Sequence, residues 1–375
     1  MIWTRERLET EWIREPMEAI GDRASSALSA FDCIERHLGA DWLAAHSHRT
    51  QGVGPTLELI LFGECLAAIE TLHGFDVLVD KVRRGDSSAL SEMKAVRMFK
   101  LMGDVEIELA PDLPVADAMK KPDFRVRHPG ERWTYVEVTR PDMSDAAVAA
   151  KELLRRLNSV KQVRREFSLE IFLRREPDPN EEGALLAAAI DIADSEQFGT
   201  VDLPNLALIT KQPFTGPVVT TVNHPGEDNK CPRFGVASGI LGGDGTEPQR
   251  LVSVRMPFSD DRADAFLKRE AKQLSKEEQG FIMMDMADSR SGMRGWNLLL
   301  RRRLQSNVHT RVGGICLFSN ALELGSTHLH MLFEFLTVDN PHAAQPLPPW
   351  ILEELQKLEA IDNAKRASPR GQQQS

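Results

Sequence analysis

Lys121-Pro122-Asp123-Phe124-Arg125-Val126-Arg127, followed by His128-Pro129-Gly130-Glu131 and then Trp133-Thr134-Tyr135-Val136-Glu137-Val138-Thr139, is the stretch on which the reading of this chain turns. The outer pieces are short and alternate in character, and the middle piece has the proline–glycine chemistry of a turn. Strand, turn, strand is therefore expected, with strands over 123–127 and 133–139. Period-two alternation puts Tyr135, Glu137 and Thr139 on one face of the second strand and Thr134, Val136 and Val138 on the other. An antiparallel hairpin brings Asp123, at the start of one strand, and Glu137, near the end of the next, to the same edge.

Upstream, Ser88 is read as the N-cap of a helix carrying Glu92, Ala95, Val96, Phe99 and Leu101, stopped by Gly103. Val105 to Leu109 alternates like a strand with one buried face, and Pro111 and Pro114 end it. Helix, strand, strand, strand is the resulting order. Its carboxylates suit a hard divalent cation, Mg²⁺ or Mn²⁺, held by Asp123 and Glu137. The backbone carbonyl of Val138 is a further candidate ligand, and Glu92 a supporting acid from the side. A metal in such a place suits phosphodiester hydrolysis, since it polarises the phosphoryl oxygen and acidifies a water. The plainer alternative makes Asp123 a cap at the strand start and Glu137 a solvated edge residue.

Pro122-Asp123-Phe124 and Tyr135-Val136-Glu137-Val138-Thr139, preceded by Glu92 on a helix, resemble the PD-(D/E)xK, or restriction-endonuclease-like, nuclease superfamily. The resemblance covers about residues 88–175. It implies a mixed β-sheet flanked by helices, a metal on Asp123 and Glu137, DNA as partner, and a role in defence against foreign DNA. Thr139 departs from the pattern, because the superfamily has lysine there. Threonine keeps a hydroxyl but loses the positive charge that steadies the transition state. Lys151 is the candidate replacement, on a helix expected over 145–165 with Lys151, Arg155, Asn158 and Gln162 in one polar stripe. Lys121 and Lys94 are weaker candidates. Without any such cation, the chain reads as a catalytically silent nuclease-like fold that binds nucleic acid or a protein.

Around this core the sequence is α/β. Residues 1–85 read as a helical N-terminal region, 86–340 as the α/β core with its elaboration, and 341–375 as a proline-rich segment, a short helix and a polar tail. The segment 226–245 reads as a long glycine-rich loop or a hairpin. No run approaches the roughly 20 apolar residues of a membrane span, and the charged start Met1 to Arg7 has no signal core, so a cytoplasmic protein is expected. Cys33, Cys65, Cys231 and Cys316 are scattered and read as reduced thiols. A formal net charge of −10 argues against non-specific coating of DNA, while short basic clusters such as Arg155-Arg156 and Arg174-Arg175 leave room for a local groove. His328 and His330 share a face of an expected edge strand without a third ligand in view. The sequence has no phosphate-loop, HExxH, nucleophile-elbow or dinucleotide pattern.

Overall fold

The structure is a computed structural model, and it describes residues 24–47, 53–86, 88–115, 118–141, 152–175, 177–214, 233–240, 248–257, 262–286, 293–324 and 329–367. The chain divides into two compact units. The first comprises 1–141, 264–287 and 301–375; the second comprises 142–263 and 288–300.

The first unit opens with helices α1 (Ala24–Leu38), α2 (Ala40–Ser47), α3 (Val53–Ile69), α4 (Phe75–Arg83) and α5 (Ser88–Lys100). Strands β1 (Glu106–Leu109), β4 (Phe124–Arg127), β5 (Thr134–Thr139), β11 (Gln279–Asp285), β12 (Gly314–Leu324) and β13 (Leu329–Asp339) form a six-stranded sheet in that order. β1, β4 and β5 run antiparallel, β5, β11 and β12 parallel, and β13 closes the far edge antiparallel. β2 (Leu113–Val115) and β3 (Ala118–Lys120) make a small separate ribbon.

The apolar alternation decides which face meets the helices. Phe124, Val126, Val136, Val138, Phe281, Met283, Cys316 and Phe318 join one core with α1, α3 and α5 and with the C-terminal helix α9 (Pro349–Ala367). α3 is apolar nearly all round, as a helix enclosed by its neighbours should be. Among the described residues no helix is long and apolar enough to cross a membrane.

The second unit lies, in chain order, mostly within the connection from β5 to β11. Its five-stranded sheet runs β7 (Gly199–Leu203), β8 (Ala207–Gln212), β6 (Phe167–Leu173), β10 (Arg250–Pro257), β9 (Arg233–Ile240). Of the loop or hairpin expected over 226–245, the described residues 233–240 form β9, which pairs antiparallel with β10 over its full length. The helix α6 (Pro179–Asp194) is opened by a capping box, with Asp178 accepting from the backbone of Asn180 and Glu181. The expected long helix ends earlier than read. Its described part is α-helical over 152–156 and then tightens to a 3-10 turn over Leu157–Gln162, which breaks the 3.6-residue stripe. Lys151, like Cys231 and His328, lies outside the described residues.

Two further helices complete the chain: α7 (Arg262–Ala271), whose residues 264–271 belong to the first unit, and α8 (Met293–Arg303).

One backbone approach positions α4. Gly74 precedes it with φ of 85°, and a Cβ built there would lie 2.5 Å from the carbonyl oxygen of Leu109. Leu109 in turn donates its N–H to the carbonyl of His73 at 3.0 Å. Only glycine meets both demands. Gly74→Ala is expected to cost about 2–4 kcal/mol, the sum of left-handed strain and a clash with backbone that cannot swing away. Urea denaturation of the two proteins, with an unchanged slope, measures it.

Candidate active site

Extending the β4–β5 register by one residue places Asp123 directly across from Glu137, since Phe124 faces Val136 and Arg125 faces Tyr135. A side-chain bond fixes this end of the pair: Asp123 Oδ2 accepts from the N–H of Val138 at 2.8 Å. In a strand a residue's N–H and C=O share an edge, so the Val138 carbonyl faces the same way.

β5 is an interior strand, every residue of it buried. Glu137 is only 5 % exposed, which removes the solvated-edge alternative. Its Oε1 is buried with no hydrogen-bond partner. Burial pushes its carboxyl up to about 10, and the nearby charges of Asp123 and Glu270 add to the shift, with Lys81 opposing.

Lys81, on α4, is a residue the sequence reading did not single out. Its Nζ donates to Glu92 Oε2 at 2.7 Å, Glu92 Oε1 at 2.9 Å and Asp123 Oδ1 at 3.0 Å. Burial alone would lower the pKa of this ammonium, but Asp123 and Glu92 outweigh it and hold it above the ordinary lysine value. Glu92 is 3 % exposed. Burial and then Asp123 push its carboxyl up to about 7, against the pull of Lys81. The hydroxyl of Ser88 stands 2.9 Å from Glu92 Oε1 and 2.9 Å from Asp86 Oδ1. Ser88 is thus the first residue of α5 rather than its cap, and Asp86 accepts from its N–H at 2.9 Å. Glu92 therefore reaches Asp123 through Lys81.

Among the described residues, Glu92, Asp123 and Glu137 do not bring three ligand atoms within 4.8 Å of one another. The site offers a cation two carboxylates, Asp123 and Glu137, together with a backbone carbonyl. Mg²⁺ is commonly bound by one or two carboxylates and completes its shell with water. The orphaned Oε1 of Glu137 and the all-oxygen donor set fit such an ion.

Thr139 is 4 % exposed, and its Oγ1 accepts from Arg269 Nη2 at 2.8 Å. Arg269, on α7, also donates through Nε to Glu270 Oε1 at 2.6 Å. Its side chain remains 62 % exposed. The threonine hydroxyl thus holds a guanidinium beside position 139. The other candidate lysines are engaged elsewhere: Lys94 faces Asp285 at 3.7 Å and Lys121 faces Asp112 at 3.8 Å.

A small cleft of about 240 Å³, counting the space open to solvent, reaches the site from α4 and β1, with Gly74, Lys81, Glu92, Ala110 and Asp123 on its walls. Ala110 holds a left-handed φ of 46° there and donates to the carbonyl of Asp123 at 2.8 Å. Along β4, Arg125 and Arg127 stack on Trp133 at 4.3 and 4.2 Å. They also pair with Glu108 at 2.5 Å and Glu106 at 2.6 Å. In the second unit, Arg155 pairs with Glu152 at 2.8 Å, Arg174 with Asp202 at 2.7 Å and Arg175 with Glu181 at 2.5 Å. Each of these arginines is paired with an acid.

No family model, no curated protein and no solved structure matches this chain.

Proposed function

We propose that this protein is a Mg²⁺- or Mn²⁺-dependent nuclease-like enzyme that hydrolyses phosphodiester bonds in DNA, on a core of restriction-endonuclease type. The observation that carries the reading is the buried, unpartnered carboxyl oxygen of Glu137 opposite Asp123. The element order supports it: a helix bearing Glu92, then β1, β4 and β5, with both acids on the inner strands. A role in defence against foreign DNA follows from the resemblance alone.

Asp123, Glu137 and the Val138 carbonyl would hold the ion. Bound there, it would polarise a phosphoryl oxygen and lower the pKa of a water. Glu137 must give up its proton to serve as a ligand. Lys81 holds Asp123 through Oδ1, while the Val138 N–H fixes Oδ2. Arg269, exposed and always charged, is the group that stabilises negative charge building on the phosphoryl oxygens.

Supercoiled-plasmid nicking with Mg²⁺ and then Mn²⁺ tests the reading; activity that ignores chelator, or none with either ion, sinks it. Arg269→Ala is expected to lower kcat by about 10²–10³-fold, the usual cost of one transition-state donor. Thr139→Lys in that background should recover part of the loss. Unchanged turnover in Arg269→Ala would remove the arginine from the chemistry while leaving the carboxylate pair in place.

One observation favours a second reading. The Lys81 ammonium already lies between Glu92 and Asp123, and a fold whose resident cation is a lysine would be a nuclease-like binding module without catalysis. Stoichiometric Mn²⁺ binding abolished by Glu137→Gln distinguishes the first reading from this one.

A further inference from the structure

A second constellation lies on the helical side of the first unit. Cys33 and His37 are four residues apart on α1, which puts them on one helix face, and Glu70 follows the end of α3. The thiol sulfur, an imidazole nitrogen and a carboxylate oxygen of these three come within 4.8 Å of one another, the one such trio of metal-ligating side chains among the described residues.

We infer that Cys33, His37 and Glu70 form a site for a borderline transition-metal ion of the zinc class, separate from the Asp123–Glu137 pair. The donor set is one sulfur, one nitrogen and one oxygen. Zn²⁺ and Co²⁺ accept that mixture readily, whereas Mg²⁺ takes hard oxygen alone. Thiolate and carboxylate together carry two negative charges, which balance the ion. The free geometry is close to what binding needs. His37 Nε2 lies 2.8 Å from Glu70 Oε2, and Arg36 holds that same oxygen at 2.9 Å. Oε1 of Glu70 has no partner among the described residues and is free to turn to the ion, with Arg36 steadying the carboxylate from behind. His37 and Glu70 side chains are 21 % and 29 % exposed, so water can fill a fourth position. Cys33 is 2 % exposed and makes no disulfide. Burial pushes its thiol up to about 11, aided by Glu70. Binding must therefore release the thiol proton, and affinity should rise with pH.

The site also sits where α4 is held. Arg83 donates to the carbonyl of His37 at 2.6 Å, and the His37 ring meets Phe75 edge-on at 4.9 Å. An ion there would clamp α1 and the end of α3 beside the helix that carries Lys81.

The test is a Co²⁺ titration of the full-length, chelator-treated protein, followed by absorption. One equivalent should give a near-ultraviolet thiolate-to-cobalt band with the visible bands of a four-coordinate ion. Glu137→Gln must leave both intact. Cys33→Ser must abolish the thiolate band, and Glu70→Gln must weaken binding by more than the roughly 10–100-fold typical of an outer partner. Zn²⁺ should raise the melting temperature of the wild type and not that of Cys33→Ser, which keeps the claim testable if the serine variant is less stable. Absence of a thiolate band in the wild type overturns the site. So does a band that survives Cys33→Ser, since it would belong to another cysteine. Because neither readout depends on nicking, the site can fail or stand apart from the nuclease reading.

Discussion

Glu137→Gln is expected to abolish Mg²⁺-dependent nicking, by at least about 10³-fold, and at the same time to make the metal-free protein more stable as pH rises. The first effect follows from losing a charged ligand, since several kcal/mol of transition-state stabilisation rest on the ion it holds. The second follows from linkage. The Glu137 carboxyl goes from an ordinary value of 4.5 to about 10 on folding. Between those values the folded state holds a proton that the unfolded state has released, so stability falls as pH climbs. The contribution is complete below about pH 4.5 and is lost progressively toward pH 10. Glu92, raised to about 7, adds a smaller loss of the same sign ending near pH 7. Glutamine carries no such liability. The melting-temperature difference between variant and wild type, measured without metal, should therefore widen steadily from pH 5 to pH 9. Mn²⁺ should reverse it for the wild type alone, releasing protons as it binds. A variant that still nicks DNA overturns the site assignment, and a difference independent of pH overturns the buried-acid account.

What could be read from the chain, and what could not, divides along physical lines. The hairpin was legible because its signal is local: alternation on either side of His128-Pro129-Gly130-Glu131, where Glu131 donates back to His128 at 3.0 Å. With the register fixed, the meeting of Asp123 and Glu137 followed. Helix α6 was equally local in its Asp178-Pro179-Asn180-Glu181 start, and that signal went unread. β9 was obscured because Gly235 and Gly239 look like loop residues, while its pairing partner β10 begins only at Arg250. The cations of the site were beyond reach in another sense. Lys81 is 42 residues from Asp123, and Arg269 is 130 from Thr139. Each sits on an amphipathic helix where a basic residue ordinarily faces water, and only the folded chain brings it to an acid or a hydroxyl.

Lys81→Met is the variant whose outcome separates a working metal centre from a lysine-filled one. The substitution keeps the length of the side chain and removes the charge that Glu92 and Asp123 share. Breaking one partner out of a buried pair costs about 3–5 kcal/mol. Lys81 is 24 % exposed along its side chain, so water recovers part of that, and about 2–3 kcal/mol is the expected loss. In a metal centre, Mg²⁺ or Mn²⁺ held by Asp123 and Glu137 restores part of the lost stability in Lys81→Met, because its charge takes over the compensation of Asp123 that the ammonium supplied. In a silent fold the ammonium is the structural ion, and added metal leaves the variant as unstable as before. Chemical denaturation of both proteins with and without Mn²⁺ reads the difference directly. Rescue by metal alongside lost nicking would make Lys81 the residue that aims Asp123. Failure of rescue, with the wild type also blind to Mn²⁺, would leave Lys81 as the only cation this carboxylate cluster uses.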